Sequence, residues 1–379
     1  MKIVLAGETY YPDVNGAAVF TQRLASGLAL RGHEVCLIVP SATSASYELV
    51  EDGVHIYAVP SLQYPWHSTF HLASPRARRS IRVILTNAKP DIVHLQAHFI
   101  VGRFASAESS TLGIPLLATN HFMPANLRTQ IPFPIPNWLF RMAARISWID
   151  FRHVLKNATV VTAPTNYAAR LVESESGISG VKAISCGVDI SAFATERVQR
   201  LPFNVLFVGR LDAEKHVDQI IDALTFTDPR IRLRIVGTGS QERRLKHQVK
   251  RRGLIDRVDF LGYTPDEKLQ AEYSQADVFC MPGTAELQSI ATLEAMAAGL
   301  PIVAADSHAL PELVRPYING ELFTSGNVQE LAGALMRLFA DDHLREEYGR
   351  ASSMAIMQHR LSNTLDEFEA IYSSLKRNR

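Results

Sequence analysis

Short apolar runs alternate along the chain with stretches in which apolar residues recur at helical spacing. Runs that are apolar at consecutive positions and rich in Val, Ile and Leu predict strands buried on both faces, as in a parallel sheet covered by helices. In the first half these runs read KIVLAG, EVCLIVP, VHIYAVP, DIVHLQ, IPLLATNH and ATVVTAP; in the second half they read FNVLFVG, IRLRIVG, RVDFLG, ADVFCM and PIVAAD.

Two such sets predict an α/β protein with two Rossmann-like, doubly wound parallel-sheet domains that face each other across a cleft. The periodicity lapses from Gly187 to Pro202, which places the join there. We therefore expect an N-terminal domain over residues 1–192 and a second domain over 193–355. The stretch from Asp341 to Lys376 has helical spacing throughout. Ligands of such sheets bind at the carboxyl ends of strands, so the chemistry is sought just after each strand.

Composition narrows the class of protein. The 379 residues are 47% apolar and 20% charged, with a net charge of +1, so bulk charge gives no indication of a nucleic-acid partner. The three cysteines lack metal-ligand spacing, which favours buried thiols in a reducing compartment. No apolar run reaches membrane-spanning length, and the first strand is too short for a signal peptide. We expect a cytoplasmic protein; peripheral association with the inner face of the cell membrane is compatible with this.

The stretch from Met281 to Pro301 combines a strand end, a loop and a helix, with Glu286 in the loop and Glu294 about two turns into the helix. The first turn of a helix leaves backbone N–H groups without intrahelical partners, and we expect such donors at Leu287–Ile290. These donors and the helix dipole favour an anion. A phosphate at the helix start, with one carboxylate near it and another further along the helix, suits a sugar nucleotide. The alternative is that this strand, loop and helix have only a structural role.

Basic and glycine residues follow other strands. Arg210 and Lys215 lie between a strand end and a helix, where cations oppose the helix dipole, and this mismatch favours an anionic partner. Gly16 precedes a helix predicted to run to about Leu30; it permits close approach of a phosphate or serves only as a turn residue. His121 also ends a strand, a position at which a hydrogen-bonded structural histidine is common.

The Glu286 to Glu294 segment resembles the signature of the retaining glycosyltransferases of the GT-B fold, family four, also called group 1. There, Glu, seven residues and Glu are followed by a run like EAMAAGLPIVA, which this chain contains. The family usually has a GFG-like spelling between the glutamates, whereas this chain has Leu287, Gln288 and Ser289, which leaves the donor sugar open. The resemblance implies transfer of a hexose from a nucleoside diphosphate sugar, of the UDP-glucose or GDP-mannose type, to a hydroxyl. It also implies that a C-terminal helix, over residues 356–379, packs back on the first domain.

The resemblance implies roles for individual residues. The residues expected at the reacting centre are His121, Glu286, Arg210 and Lys215. The residues expected to bind the donor are Gly16, Arg210, Lys215, Gly239, Tyr263, Glu286, Leu287, Gln288, Ser289, Ile290 and Glu294. Within this set Arg210 and Lys215 clamp the diphosphate, Glu294 holds the ribose, and the backbone near Tyr263 borders the base. We expect no cofactor and no metal, because no metal spacing is present and the two cations neutralise the leaving phosphates.

The acceptor candidates are His98, Trp66 and Trp138; for His98, a packing role is the alternative. All three tryptophans fall in two aromatic and basic regions of the first half, the second of which includes Trp138 and Trp148. Such segments either lie in a membrane interface or pack their aromatic residues on the core. The opening ETYYPDVNGAA and these regions look most like enzymes that glycosylate diacylglycerol or phosphatidylinositol; a soluble sugar or sugar phosphate is the alternative acceptor.

Two functions of another class fit the same fold. A nucleotide-sugar epimerase would use the same phosphate sites but need no acceptor. A non-catalytic sugar-nucleotide binder would be expected to lack Glu286 or the Arg210 and Lys215 pair, which are present here. A dehydrogenase is disfavoured, because no G-x-G-x-x-G follows the first strand.

Overall fold

A computed structural model describes residues 1–10, 15–63, 71–124, 136–193 and 202–377. The chain forms two compact units. The first unit joins Met1–Cys186 to Ser362–Arg379, and the second is Gly187–Leu361. The sequence placed the corresponding limits at 192 and 355.

The first unit contains ten strands and six helices among its described residues. The strands are β1 (Lys2–Ala6), β2 (Glu34–Pro40), β3 (Tyr47–Glu51), β4 (Val54–Val59), β5 (Ser61–Gln63), β6 (His71–Ala73), β7 (Ile92–Leu95), β8 (Leu116–Thr119), β9 (Val160–Ala163) and β10 (Lys182–Ala183). The helices are α1 (Gly16–Leu30), α2 (Ala77–Ala88), α3 (Ile100–Leu112), α4 (Asn137–Leu155), α5 (Asn166–Ser176) and, at the C-terminus, α13 (Leu361–Arg377).

The main sheet of this unit has the order β10-β9-β8-β7-β1-β2-β4-β3. Its strands pair in parallel, as predicted, except that β3 runs antiparallel to β4 at the edge. From β1 the order continues through β2 on one side and through β7 on the other, so the topological switch point lies between β1 and β7. Ligands of open α/β sheets bind beside such a point.

Helix α13 packs on the first unit, as the fold prediction required. Leu365, Phe368 and Tyr372 are buried on one face of it, and the Tyr372 hydroxyl lies 2.8 Å from His94 Nδ1 inside the sheet. The helical stretch predicted from Asp341 to Lys376 is interrupted before α13. Arg360 is extended, and Val188 bonds the neighbouring backbone on both sides of it, which ends one helical stretch and starts the next.

The second unit repeats the architecture. Its strands are β11 (Phe203–Val208), β12 (Ile231–Val236), β13 (Val258–Gly262), β14 (Val278–Met281), β15 (Ile302–Ala305) and β16 (Gly320–Phe323). Its helices are α6 (Val217–Leu224), α7 (Glu242–Arg251), α8 (Asp266–Gln275), α9 (Ile290–Ala297), α10 (Leu310–Leu313), α11 (Val328–Ala340) and α12 (Asp342–Ala355). All pairs are parallel in the order β13-β12-β11-β14-β15-β16, which puts the switch point between β11 and β14.

Candidate active site

The switch point of the second unit carries the basic pair and the first signature glutamate. Arg210 and Lys215 follow β11, and Glu286 follows β14, the strand paired with it. Parallel pairing brings the carboxyl ends of both strands to one edge, so residues 71 positions apart meet there. The arrangement is the one that the strand pattern predicts for a ligand site in a doubly wound sheet.

Lys215 and Glu286 form a close ion pair. Lys215 Nζ lies 2.5 Å from Glu286 Oε1, and both side chains are largely buried. Gly283 makes room for this carboxylate, because a Cβ built on Gly283 would lie 2.9 Å from Glu286 Oε1. The two loops are further joined by Thr284, whose N–H donates to the Glu214 carbonyl. Lys215 therefore already has one anionic partner, with which a diphosphate would have to share it.

Arg210 is held by two carboxylates of its own loop. Its Nη1 lies 2.7 Å from Asp212 Oδ2, and its Nη2 lies 3.0 Å from Glu214 Oε1. Asp212 also accepts from the N–H and the hydroxyl of Ser240, which ties the loop after β11 to the loop after β12. The guanidinium is therefore positioned before any ligand arrives, which lowers the entropy cost of binding one.

Helix α9 begins one residue after its cap. Ser289 is the N-cap and its hydroxyl accepts from the Thr292 N–H at 3.3 Å. Because the helix begins at Ile290, its open amides are those of Ile290 and Ala291, for which no acceptor is found among the described residues. The sequence placed the open amides at Leu287–Ile290, up to three residues earlier. The Ser289 cap thus leaves two adjacent N–H groups and the positive end of the helix dipole for an anion.

Glu294 lies within α9 and is buried beside a tyrosine that the sequence did not single out. The Tyr273 hydroxyl donates to Glu294 Oε2 at 3.0 Å, and Tyr273 is fully buried in α8. A hydrogen bond to an ionised carboxylate is stronger than one between neutral groups. Tyr273 therefore positions Glu294. The sequence around Tyr273 shows only the apolar spacing of a helix, and this spacing does not indicate a hydrogen bond to Glu294.

We expect Tyr273→Phe to weaken the binding of donor more than it slows turnover. Phenylalanine retains the ring packing but removes the hydrogen bond, which is worth about 1–3 kcal/mol at a charged partner. The KM for donor should rise about three- to tenfold at nearly unchanged kcat. Tyr348→Phe, at a buried tyrosine of α12, is the control. Equal donor KM values for Tyr273→Phe and wild type would show that Tyr273 does not position Glu294 for donor binding.

Gly239 follows β12, which pairs with β11, and Tyr263 follows β13, which pairs with β12. A Cβ on Gly239 would lie 2.6 Å from backbone atoms of Leu211, so the loop after β12 touches the loop that carries Arg210. Gly237 N–H donates to the Gly262 carbonyl at 2.8 Å, which places Tyr263 at the same edge. Tyr263 is 54% exposed. Both predicted residues thus lie on the same side of the second unit's sheet as Arg210, where the carboxyl ends of the strands are.

The remaining predicted residues belong to the first unit. Gly16 is the first residue of α1, and the preceding Asn15 caps this helix by accepting from the Ala18 N–H at 2.9 Å. Helix α1 ends at Leu30, as predicted. Trp138 lies in the first turn of α4 and is 65% exposed, whereas Trp148 of the same helix is buried. The third acceptor candidate, Trp66, lies outside the described residues.

Three histidines lie at or near the carboxyl ends of β7 and β8. His94 is structural, since its ring nitrogens contact Tyr372 and Thr119. His121 Nε2 lies 3.2 Å from Gln96 Oε1. Burial lowers the pKa of His121 and of His98 to about 4. Both rings are therefore neutral at pH 7 and can exchange hydrogen bonds without adding charge.

The part of the chain that the structure describes contains no group of three or more His, Cys, Asp or Glu side chains arranged to hold a metal ion. All three cysteines are buried thiols. The positive charges at the β11 and β14 strand ends are those of Arg210 and Lys215.

Comparison with protein families assigns both halves of the chain. Residues 14–192 match Glycosyltransferase Family 4, and residues 193–353 match Glycosyl transferases group 1. The protein is a two-domain glycosyltransferase. The strand-end loops that carry Arg210, Lys215 and Glu286 fall within the second matched range.

Curated relatives match over nearly the whole length of this glycosyltransferase. The "GDP-mannose-dependent alpha-mannosyltransferase" of Mycobacterium tuberculosis is 28% identical over 390 residues, which cover 99% of this chain and 97% of the relative. The "Phosphatidyl-myo-inositol mannosyltransferase" of Mycobacterium leprae is 28% identical over 363 residues, which cover 93% and 91%.

Solved structures agree in fold. The sucrose-phosphate synthase of Thermosynechococcus elongatus has a TM-score of 0.83 at 19% identity and covers 100% of both chains. HepE of Anabaena, solved with UDP and glucose, has a TM-score of 0.80 at 20% identity and covers 99% of this chain and 100% of that one. These likenesses confirm the predicted GT-B fold.

Proposed function

We propose that this glycosyltransferase transfers a hexose, with mannose of GDP-mannose as the first candidate, to a hydroxyl acceptor with retention at the anomeric carbon. The sugar nucleotide binds with its diphosphate on Arg210, Lys215 and the start of α9. Glu294 accepts from the ribose hydroxyls, and Glu286 contacts the hexose. His121, in the first unit, contacts the sugar or stabilises charge at the reacting centre.

The observation that carries the proposal is the Lys215–Glu286 pair at the β11/β14 switch point. Two cations and two open helical amides lie at this edge, and together they match the charge and the donor needs of a diphosphate. Such groups stabilise the charge that develops on a leaving diphosphate.

Mannose as the hexose is supported by the relatives rather than by the site. The names of the two Mycobacterium relatives given above describe one as dependent on GDP-mannose and the other as a mannosyltransferase of phosphatidyl-myo-inositol. Leu287, Gln288 and Ser289 differ from the usual family spelling next to the sugar, so the hexose must be measured. A thermal-shift screen with GDP-mannose, UDP-glucose, GDP and UDP identifies the donor, since a ligand at a hundred times its Kd stabilises by about 2.7 kcal/mol.

The activity test combines the donor found in that screen with phosphatidylinositol, diacylglycerol or methyl α-mannoside as acceptor, and NMR of the product gives the anomeric configuration. We expect transfer with retention, and the same rate in EDTA, because Arg210 and Lys215 supply the positive charge. If EDTA abolished activity and Mg²⁺ restored it, the proposal that transfer needs no metal ion would be overturned. Conversion of the sugar nucleotide without any acceptor would indicate an epimerase.

Helix α4 supports a lipid acceptor at a membrane surface. Trp138, Met142, Ile146 and Ile149 recur at helical spacing and are 65%, 47%, 57% and 69% exposed. Exposed arginines flank this apolar stripe at positions 141, 145 and 152. A helix with an apolar stripe beside cations suits the interface of an anionic membrane. No helix among the described residues is long and apolar enough to span a bilayer.

We expect the double variant Trp138→Ser and Ile149→Ser to bind vesicles of phosphatidylglycerol about tenfold more weakly, because two apolar side chains can no longer enter the interface. Sedimentation with vesicles measures this. Leu30→Ser, at an 87% exposed residue of the same unit, is the control and should bind as wild type does. Equal sedimentation of all three proteins would argue for a soluble acceptor.

A further inference from the structure

The switch point of the first unit, between β1 and β7, has its own cluster of polar residues. Glu8 follows β1, and Gln96 and His98 follow β7. Gln96 N–H donates to the Ala6 carbonyl at 2.8 Å, which fixes the two strand ends side by side. All three side chains are at least nine-tenths buried. This is the position in a doubly wound sheet at which ligands bind.

Glu8 uses one carboxylate oxygen and leaves the other unused. Its Oε1 accepts from the N–H groups of Val101 at 2.6 Å and Gly102 at 3.2 Å, and so caps helix α3, whose own N-cap residue has no side-chain cap. Its Oε2 has no partner among the described residues. Burial raises the pKa of the Glu8 carboxyl to about 7. A helix cap requires one oxygen only, so the cap does not account for Oε2.

Gln96 and His98 have unused atoms of their own. Gln96 Oε1 faces His121, while Gln96 Nε2 and His98 Nδ1 have no partner within the described part of the chain. The His98 ring is wrapped by Phe99, Phe122 and Phe151 at centroid distances of 4.3–5.1 Å. A buried polar group without a hydrogen bond costs about 1–3 kcal/mol, so each of these atoms calls for an explanation, such as a ligand that completes it.

We propose that Glu8 and Gln96 form a hydroxyl-recognising subsite for a polyol acceptor. Glu8 Oε2 accepts a hydrogen bond from one hydroxyl of a vicinal diol, and Gln96 Nε2 donates to its neighbour. This proposal rests on the proposed function and refines it, because it favours an acceptor with a sugar or cyclitol head over diacylglycerol, which offers a single hydroxyl.

The chemistry of the subsite separates polyols from phosphates. A hydroxyl both donates and accepts, so it satisfies a carboxylate oxygen and an amide N–H at once. A phosphate dianion only accepts hydrogen bonds. At pH 8, above the Glu8 pKa of about 7, the Glu8 carboxylate is ionised and repels such an anion, so the measurements below are made at that pH. The neutral rings of His98 and His121 add no positive charge that would offset this repulsion.

The test uses Glu8→Gln. The glutamine Oε1 retains both bonds to α3, while an N–H₂ group replaces the accepting Oε2, so the cap survives and the acceptor contact does not. Glu108→Gln is the matched control, since Glu108 is a buried carboxylate near the far end of α3 and pairs with Arg78 instead. Saturation-transfer NMR with methyl α-mannoside and with myo-inositol, and the KM for the acceptor found above, are measured on the full chain.

We expect the polyol signal to fall and the acceptor KM to rise about tenfold or more in Glu8→Gln, with donor KM and nucleotide binding unchanged. Glu108→Gln should behave as wild type in both measurements. If the acceptor KM of Glu8→Gln equals that of wild type, the subsite is overturned. The proposed function still stands in that case, as long as both proteins catalyse transfer. If Glu8→Gln does not fold, Gln96→Met must raise the acceptor KM by a similar factor; an unchanged value overturns the subsite. Absence of any transfer by wild type instead overturns the proposed function.

Discussion

Lys215→Ala should lower kcat/KM for donor about 10²- to 10³-fold. The ammonium is the more buried of the two cations at the β11/β14 strand ends, and it lies on the carboxylate that we place beside the hexose. Loss of one donor that acts on transition-state charge costs about 2.7–4 kcal/mol. Because charge on the leaving diphosphate grows during the reaction, most of the loss should appear in kcat. Steady-state kinetics with the identified donor and acceptor measure it.

Lys246→Ala is the control for this prediction. Lys246 belongs to the same unit and pairs with Glu242 at 2.7 Å, but its side chain is 54% exposed. Exposed pairs contribute about 0–1 kcal/mol, so this variant should retain wild-type kinetics. A Lys215→Ala enzyme within a few-fold of wild type would show that Lys215 does not touch the diphosphate.

Glu286→Gln should separate binding from catalysis. In the free protein Glu286 neutralises Lys215, and its charge would repel a phosphate that approaches the same ammonium. Removal of that charge should tighten binding of the nucleoside diphosphate about three- to tenfold. Transfer should nevertheless fall about 10²-fold, because the carboxylate that contacts the hexose is lost. Titration calorimetry gives the first value and steady-state kinetics the second.

Opposite changes in affinity and rate are specific to a carboxylate that shares the diphosphate's cation. A Glu286 with a purely structural role would weaken both when neutralised, since Lys215 would be left buried without its partner. Glu242→Gln changes an exposed carboxylate of the same unit and should leave both values unchanged. Weaker nucleotide binding by Glu286→Gln would contradict the competition we infer.

Most strands of both parallel sheets could be predicted from the sequence, because apolar runs without alternation specify strands buried on both faces. Strands β10 and β16 were not among the predicted runs. Strand β3 was missed, since its residues are mostly exposed and it pairs only at the edge. Asp52 and Gly53, both with positive φ, form the turn between β3 and β4, and an Asp-Gly pair is a known hairpin signal. The break at Arg360 had no local signal, because Val188, distant in sequence, imposes it.

The strand-end position of the candidate site followed from the sequence, because parallel pairing makes strand ends neighbours. The partners of its residues did not follow. The Lys215–Glu286 contact, the Tyr273–Glu294 hydrogen bond and the capping of α3 by Glu8 join residues from different elements. Such contacts depend on tertiary packing, and no local spacing encodes them. The open amides were predicted too early because Ser289 serves as the cap of α9, a choice that several polar residues permitted.

The most direct measurement is a crystal structure of the protein with GDP or with the nucleotide that the thermal-shift screen selects. The account predicts phosphate oxygens within hydrogen-bonding distance of Arg210, Lys215 and the Ile290 and Ala291 amides, with the ribose at Glu294. A diphosphate bound away from the carboxyl ends of β11 and β14, or held there by a metal ion while Lys215 remains on Glu286 alone, would contradict it.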